Sequence, residues 1–341
     1  MKNKRLIIVL AALAAVVVAA FGINALTQNQ DTESTSTESE TKTVKVGVLQ
    51  YVTHDSLDEI YRGIVVGLKE AGYEEDVNLE IDFMNAEGDQ SQVQTMSNTL
   101  VSNGNDVLIG IATPAAQGLA NATSEIPIVM GAVTDPVGAN LLTDLDNPGG
   151  NITGVSDQTP VEDTVELIQE ITPDAKNIGV LYSSNEDNSP TQVAAFKEAA
   201  EAAGYTVTEY SVPSSNEIAS TVEVMTAKED IIFTPVDNTI ASAFSTVVST
   251  ANKTNTPIYT SVEDMVEGGG IASVTLSQYE LGVATGKMAA EILEGADPAT
   301  TPVEVYNEGT VVVNQTVAEQ LGLTIPDSVL EKASQVIISA E

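Results

Sequence analysis

The chain has 341 residues, enough for two ordinary domains, and its 43% apolar content is that of a globular protein. Asp and Glu number 49 against 13 Lys and Arg, and the resulting formal charge of −36 repels phosphate backbones and argues against nucleic acid as a partner. Cysteine is absent, which excludes disulfides, thiolate catalysis and Cys-based zinc sites, and suits a chain working outside the cell.

Lys2, Lys4 and Arg5 precede an uncharged apolar run from Leu6 to Ile23. Residues 1–26 therefore read as a signal peptide or an N-terminal membrane anchor. Residues 27–43 hold nine Ser or Thr and no large apolar side chain, so they are assigned to a disordered tether. The basic flank stays inside, which places everything from Thr43 onward outside the cytoplasmic membrane.

From Val44 the chain alternates strand and helix. The apolar run 44–50 predicts a strand, and Leu57, Ile60, Ile64, Leu68 and Ala71 share one helical face. Ser56 and Glu59 fit a capping box, and Gly72 followed by Tyr73 fits a glycine C-cap. Strand 79–84, helix 90–103, strand 106–111, helix 114–123 and strand 127–132 follow. The turn-rich Asp146-Asn-Pro-Gly-Gly-Asn151 and the apolar Ile152–Val155 mark a crossing to a second lobe. That lobe is expected to carry helix 160–171, strand 177–183, helix 190–203, strand 205–211, helix 216–227, strand 229–234, one long helix 238–252 and strand 257–261. Strand 271–275 follows Gly268-Gly-Gly270, and helix 277–294 should return to the first lobe. Strands 302–306 and 310–314 and the segment Ala318–Ile325 close the chain. Lobe 1 is thus 44–155 with about 277–300, and lobe 2 is 156–276 with part of 301–341.

The two lobes echo each other. Val46-Gly-Val-Leu-Gln50 is matched by Ile178-Gly-Val-Leu-Tyr182, Asp106-Val-Leu-Ile by Asp230-Ile-Ile-Phe, and Ile126-Pro-Ile by Thr256-Pro-Ile. Two similar α/β lobes with parallel sheets enclose a cleft, and ligands bind there at the C-terminal ends of the strands.

No catalytic constellation stands out. The single histidine, His54, reads as a surface polar residue; there is no G-x-S-x-G elbow, no G-x-G-x-x-G and no Walker A pattern. Neither a metal site nor a cofactor is expected, and the chain reads as a non-enzyme. The clearest binding signal is Thr113-Pro-Ala-Ala116, with Thr113 as N-cap and the N–H groups of Ala115 and Ala116 offered to an anion such as a carboxylate. Opposite it lies Val236-Asp237-Asn238-Thr239, an acidic loop. Donors on one lobe and an acid on the other suit a zwitterionic α-amino acid, its ammonium on Asp237 or else on Asp264 or Asp157. Tyr51, at the mouth of the first strand, could form an aromatic wall.

Ile111-Ala-Thr-Pro-Ala-Ala-Gln117, Val133-Thr-Asp-Pro-Val137, Asn147-Pro-Gly-Gly-Asn-Ile-Thr-Gly154, Glu280-Leu-Gly282 and Leu321-Gly-Leu-Thr-Ile-Pro326 carry a family resemblance. The sequence resembles ABC-transporter substrate-binding proteins of the tryptophan or aromatic amino-acid type over about Val44 to Ile325. The resemblance implies a type I periplasmic-binding-protein fold: two Rossmann-like lobes with parallel sheets, joined by a multi-strand hinge that closes on ligand. It further implies contacts from the loops at Tyr51, Thr113, Asp135, Asp157, Ser184, Asn185 and Asp237, delivery to an ABC permease and its ATPase, and a monomeric receptor. The lipidated cysteine common among such receptors is missing, so retention would fall to the N-terminal segment. Alternatives are the same fold binding a sugar or autoinducer-like ligand, or a membrane-anchored sensor domain. The absence of Trp, and the presence of only Arg5 and Arg62 as arginines, weigh against a sugar cleft.

Overall fold

A computed structural model describes residues 43–338; residues 1–42, with the Leu6–Ile23 run and nearly all of the tether, lie outside the described residues. The first lobe begins β1 (Val44–Gln50), α1 (Asp55–Glu70), β2 (Leu79–Asn85), α2 (Gln90–Ser102), β3 (Val107–Ile111), α3 (Thr113–Ala122), β4 (Ile128–Gly131) and β5 (Ile152–Asp157). The second comprises α4 (Val161–Ile171), β6 (Asn177–Ser183), α5 (Asn188–Ala202), β7 (Thr206–Val212), α6 (Ile218–Met225), β8 (Ile231–Thr234), α7 (Asn238–Ser242), α8 (Phe244–Ala251), β9 (Ile258–Thr260), α9 (Glu263–Glu267) and β10 (Ala272–Thr275). The chain then returns to the first lobe with α10 (Gln278–Leu293) and β11 (Glu304–Tyr306). It ends in the second with β12 (Thr310–Asn314), α11 (Gln315–Gln320), α12 (Asp327–Lys332) and β13 (Ala333–Ile337).

The first sheet has the order β11-β5-β4-β3-β1-β2 and the second β13-β12-β10-β9-β8-β6-β7. Every pairing is parallel except β10 with β12. Strands β3 and β4 are buried along their whole length, as expected of parallel strands with helices on both faces. In the second lobe Ile231 and Phe233 join one core and Ile232 another, so alternate residues of β8 serve opposite faces of the sheet. Three connections run between the lobes: β5 to α4, β10 to α10, and β11 to β12. They form the hinge of a type I periplasmic-binding-protein fold.

Helices α1 and α10 lie in unusually close contact. A Cβ added at Gly63 would lie 2.2 Å from the Tyr279 carbonyl oxygen, at Gly67 2.2 Å from that of Val283, at Gly282 2.1 Å from that of Ile60, and at Gly286 2.3 Å from that of Ile64. Only glycine lets two backbones approach so closely. The interlock anchors the returning helix to the first lobe and fixes the position of its first residue, Gln278.

Several local expectations are corrected. The capping box at α1 does not form: the N-cap is His54, without a side-chain cap, and Ser56 instead donates its hydroxyl to Asp264. The helix expected over 238–252 is broken at Ala243 into α7 and α8. Ile240, Phe244, Val247 and Ala251 are all buried, so the apolar spacing runs unbroken through the break and hides it. Strand β13 had no counterpart in the sequence reading; it completes the second sheet beside β12.

Candidate ligand-binding site

The C-terminal ends of the strands in both lobes converge on an interlobe cavity with about 380 Å³ of empty space between atoms, counting the part open to solvent. From the first lobe it is lined by His54, Ser56, Leu57 and Ile60 around the start of α1, by Ala112 and Thr113 after β3, by Ala132 and Thr134 after β4, and by Asp157 ending β5. Asn188, Val236, Asp237, Asn238, Ala241 and Val262 come from the second lobe, and Gln278 stands at the start of α10 just after a hinge connection.

Two alanines in this lining, Ala112 (φ 72°) and Ala132 (φ 55°), adopt the left-handed conformation that costs a non-glycine residue energy. Both follow sheet strands directly, where they turn the backbone sharply under the cavity. Thr113 is not the N-cap expected from sequence. Ala112 holds that position, Pro114 lies in the first turn, and the Ala116 N–H bonds the Ala112 carbonyl at 3.1 Å, so it is not free for an anion. The N–H groups of Thr113 and Ala115 precede the helical ladder and remain the amide donors at this helix start.

Among the described residues, six buried side-chain atoms lack a hydrogen-bond partner, and four of them belong to cavity residues: His54 Nδ1, Thr113 Oγ1, Asp157 Oδ1 and Asn188 Oδ1. Leaving a buried polar atom unpaired costs about 1–3 kcal/mol. Concentrating four around one cavity makes it the candidate ligand site. Asn188 Oδ1, an ionised Asp157 Oδ1 and the Nδ1 of an Nε2-protonated His54 all accept, so the set fits a ligand rich in N–H or O–H donors. Burial raises the Asp157 carboxyl to about 7, with hydrogen bonds from Thr134 and its own backbone N–H pulling the other way. A cationic donor would reverse that shift.

Asp237, expected to hold the ammonium, is engaged elsewhere. Its Oδ1 accepts the Ile240 N–H at 2.9 Å, capping α7, while its Oδ2 accepts the Ser183 N–H at 2.6 Å and the Ser189 hydroxyl at 2.7 Å. Burial first, and the nearby charge of Glu186 second, raise its affinity for a proton. Glu186, buried and not singled out from sequence, accepts from the Asn238 side chain (2.6 Å), the Thr239 N–H (2.8 Å) and the Thr239 hydroxyl (2.7 Å). The supposed acidic face of the second lobe is thus spent on its own loops, and the unpartnered carboxylate belongs to the first sheet.

Of the remaining sequence candidates, Asn238 lines the cavity and its Oδ1 faces His54 Nε2 at 3.3 Å. Tyr51 is buried outside the cavity lining with its hydroxyl on the Gly88 carbonyl (3.2 Å) and near Thr239, and burial raises its pKa; it forms no wall. The walls are aliphatic: Leu57, Ile60, Val236 and Val262. Ala115 and Ala116 are buried behind Thr113. Ser184 and Asn185 lie at the surface, bonded to the Val212 and Pro213 carbonyls. Asp135 and Asp264 lie outside the cavity lining and bridge the lobes: Asp135 accepts from Thr191 at 3.0 Å and Asp264 from Ser56. With Gln117 donating to Asp187 at 2.8 Å and His54 facing Asn238, these polar contacts cross the cleft and hold the two lobes together. His54 and Gln278 went unrecognised as lining residues; the position of Gln278 directly after a predicted lobe crossing was the available signal.

Two parallel-sheet lobes closed over one cavity with unsatisfied polar groups define a two-lobed solute-binding protein. The chain belongs to the ABC transporter substrate binding protein family, whose model matches residues 45–337. A crystal structure of an ABC domain in complex with L-Trp from Streptococcus pneumoniae is 60% identical, covers 87% of this chain and all of its own, and superposes with a TM-score of 0.86. A tyrosine-binding protein of Clostridioides difficile is 36% identical over 89% of this chain and 86% of its own length. The ligand-free, open structure of a substrate-binding protein with adhesive properties from Clostridium difficile is 35% identical over 87% of this chain and all of its own, with a TM-score of 0.66. A glucose-galactose binding protein from Geobacillus stearothermophilus and an ABC transporter solute binding protein from Agrobacterium vitis, 16% and 15% identical with TM-scores of 0.58 and 0.60, share the fold alone. Family membership gives the chain a binding role and not an enzymatic one.

Proposed function

We propose that this chain is the extracytoplasmic receptor of an ABC importer and captures an aromatic amino acid, tryptophan or tyrosine, between its lobes. The observation that carries the reading is the donor-hungry cavity beside a helix start. The ligand ammonium meets Asp157 Oδ1 and Asn188 Oδ1, and its carboxylate meets the Thr113 hydroxyl and the amides of Thr113 and Ala115. The L-Trp complex and the tyrosine-binding relative support the choice of side chain.

Ligand binds the open form on the first lobe, and Asn188 with the aliphatic side chains of the second lobe completes the enclosure. The closed state gains by the difference between these two sets of contacts, and the closed face is what the permease recognises. The receptor acts as a monomer, held outside the cytoplasmic membrane by the Leu6–Ile23 segment or released if that segment is removed.

The chain contains no Trp, so added tryptophan dominates indole emission. Titration should shift that emission with a dissociation constant of about 1 μM or tighter, typical of about 8 kcal/mol of binding energy. Thr113→Val should weaken binding by about 1–2 kcal/mol by removing one hydroxyl partner. No emission shift, together with no thermal stabilisation by any amino acid, would sink the proposal.

A further inference from the structure

His54 is the chain's single histidine, and its tautomer is set by a relay of buried polar groups. The Glu186 carboxylate accepts from Asn238 Nδ2 at 2.6 Å, which turns Asn238 Oδ1 toward His54 Nε2 at 3.3 Å. An oxygen facing Nε2 requires the proton there, leaving Nδ1 as a bare acceptor. That Nδ1 is buried without a partner, on a residue that lines the cavity. Burial favours the neutral ring, against the weaker pull of Asn238, Asp264, Glu186 and Asp58.

Resting on the amino-acid reading above, the structure assigns His54 Nδ1 as the acceptor for a hydrogen-bond donor on the ligand's side chain. The zwitterion's ammonium goes to the carboxylate of Asp157, because a charge-assisted bond outweighs one to a neutral imidazole. The remaining neutral acceptor in the aliphatic pocket then selects side chains carrying a ring N–H or O–H. An indole or phenol satisfies it. A phenyl ring leaves it unpaired, and a site built to bond a donor rejects the analogue that lacks it far more strongly than a plain apolar pocket does. Asn238 and Glu186 are positioning residues that act through the imidazole.

The test compares L-tryptophan with β-(3-benzothienyl)-L-alanine, in which sulfur replaces the indole N–H at nearly the same shape, and with L-phenylalanine. Calorimetry on the full exported chain should show about tenfold or greater weakening for the benzothienyl analogue. In His54→Leu the two ligands should bind within about threefold of each other. Because only one histidine is present, a ¹⁵N-histidine-labelled sample reports this ring alone. Its spectrum should show the Nε2-protonated tautomer. Tryptophan should move the Nδ1 resonance upfield, the benzothienyl analogue should not, and Asn238→Ala should mix the two tautomers. Tight tryptophan binding with equal affinity for the sulfur isostere, or an unmoved Nδ1 resonance, overturns the assignment and leaves the amino-acid reading intact. If no amino acid binds at all, both fall together.

Discussion

On the proposed reading, the buried carboxylate of Asp157 couples ligand capture to pH. Its folded pKa, raised by burial to about 7, lies above the roughly 3.9 of an unfolded aspartate. In the ligand-free protein the folded state therefore holds the proton more tightly. The resulting stability is fully present below about pH 4 and is lost as pH rises through 7. Above that, the empty site carries an uncompensated buried charge, which a ligand ammonium would neutralise. Affinity for the amino acid should accordingly rise between pH 6 and pH 7, by at most about tenfold per unit, and level off above. Calorimetry at pH 6, 7 and 8 checks the slope. Asp157→Asn should weaken binding by about 2–4 kcal/mol and abolish that slope. The same change should raise the melting temperature of the ligand-free protein at pH 8, by about 2–4 °C for each kcal/mol recovered. A variant that loses both affinity and ligand-free stability would point to Asp157 as structural support only.

At the scale of elements, the contact of α1 with α10 has no slack. Gly67→Ala would place a methyl 2.2 Å from the Val283 carbonyl oxygen, which is backbone and cannot swing aside. Destabilisation of at least about 2–3 kcal/mol is expected in urea unfolding, through forced separation of the helices. Gly150, with no atom within 4 Å of an added Cβ, is the control, and Gly150→Ala should change stability by no more than about 1 kcal/mol. Gln278 begins α10 and Leu57 and Ile60 lie on α1, so separating the pair should also loosen one wall of the cavity. Ligand affinity of the Gly67→Ala protein, measured where it is still folded, should fall with its stability. At the opposite side of the cleft, the short helix α7 exists because Asp237 caps it and Glu186 holds the Asn238 and Thr239 amides. Carboxylates at a helix start are favourable there, which explains two buried acids so close together.

At the scale of the whole molecule, the proposed function makes closure an equilibrium that ligand and cross-lobe bonds bias together. Asp135 with Thr191, and Gln117 with Asp187, span the lobes without lining the cavity. Asp135→Ala combined with Gln117→Ala should lower affinity by roughly 2–30-fold with no change in ligand preference, since exposed polar pairs contribute about 0.2–1 kcal/mol each. Small-angle scattering should show the ligand-free double variant more extended, and saturating ligand should restore the compact form.

The alternation of apolar strands and amphipathic helices, the internal echo between Val46–Gln50 and Ile178–Tyr182 and the loops that follow each strand were legible from sequence. They depend on local periodicity and on turn residues, which a linear chain displays directly. What each side chain does within those loops was decided by tertiary structure. Asp237 and Asp157 are the same residue type at the ends of their segments. One spends both oxygens on Ile240, Ser183 and Ser189, and the other keeps one oxygen unpartnered beside the cavity. Likewise His54 reads as a lone surface histidine until Asn238, held in turn by Glu186, is brought against its ring. Partnership between groups 48 to 184 residues apart is set by packing, so the sequence alone determines the architecture and the position of the cleft, and the folded lobes determine which atoms are left for a ligand.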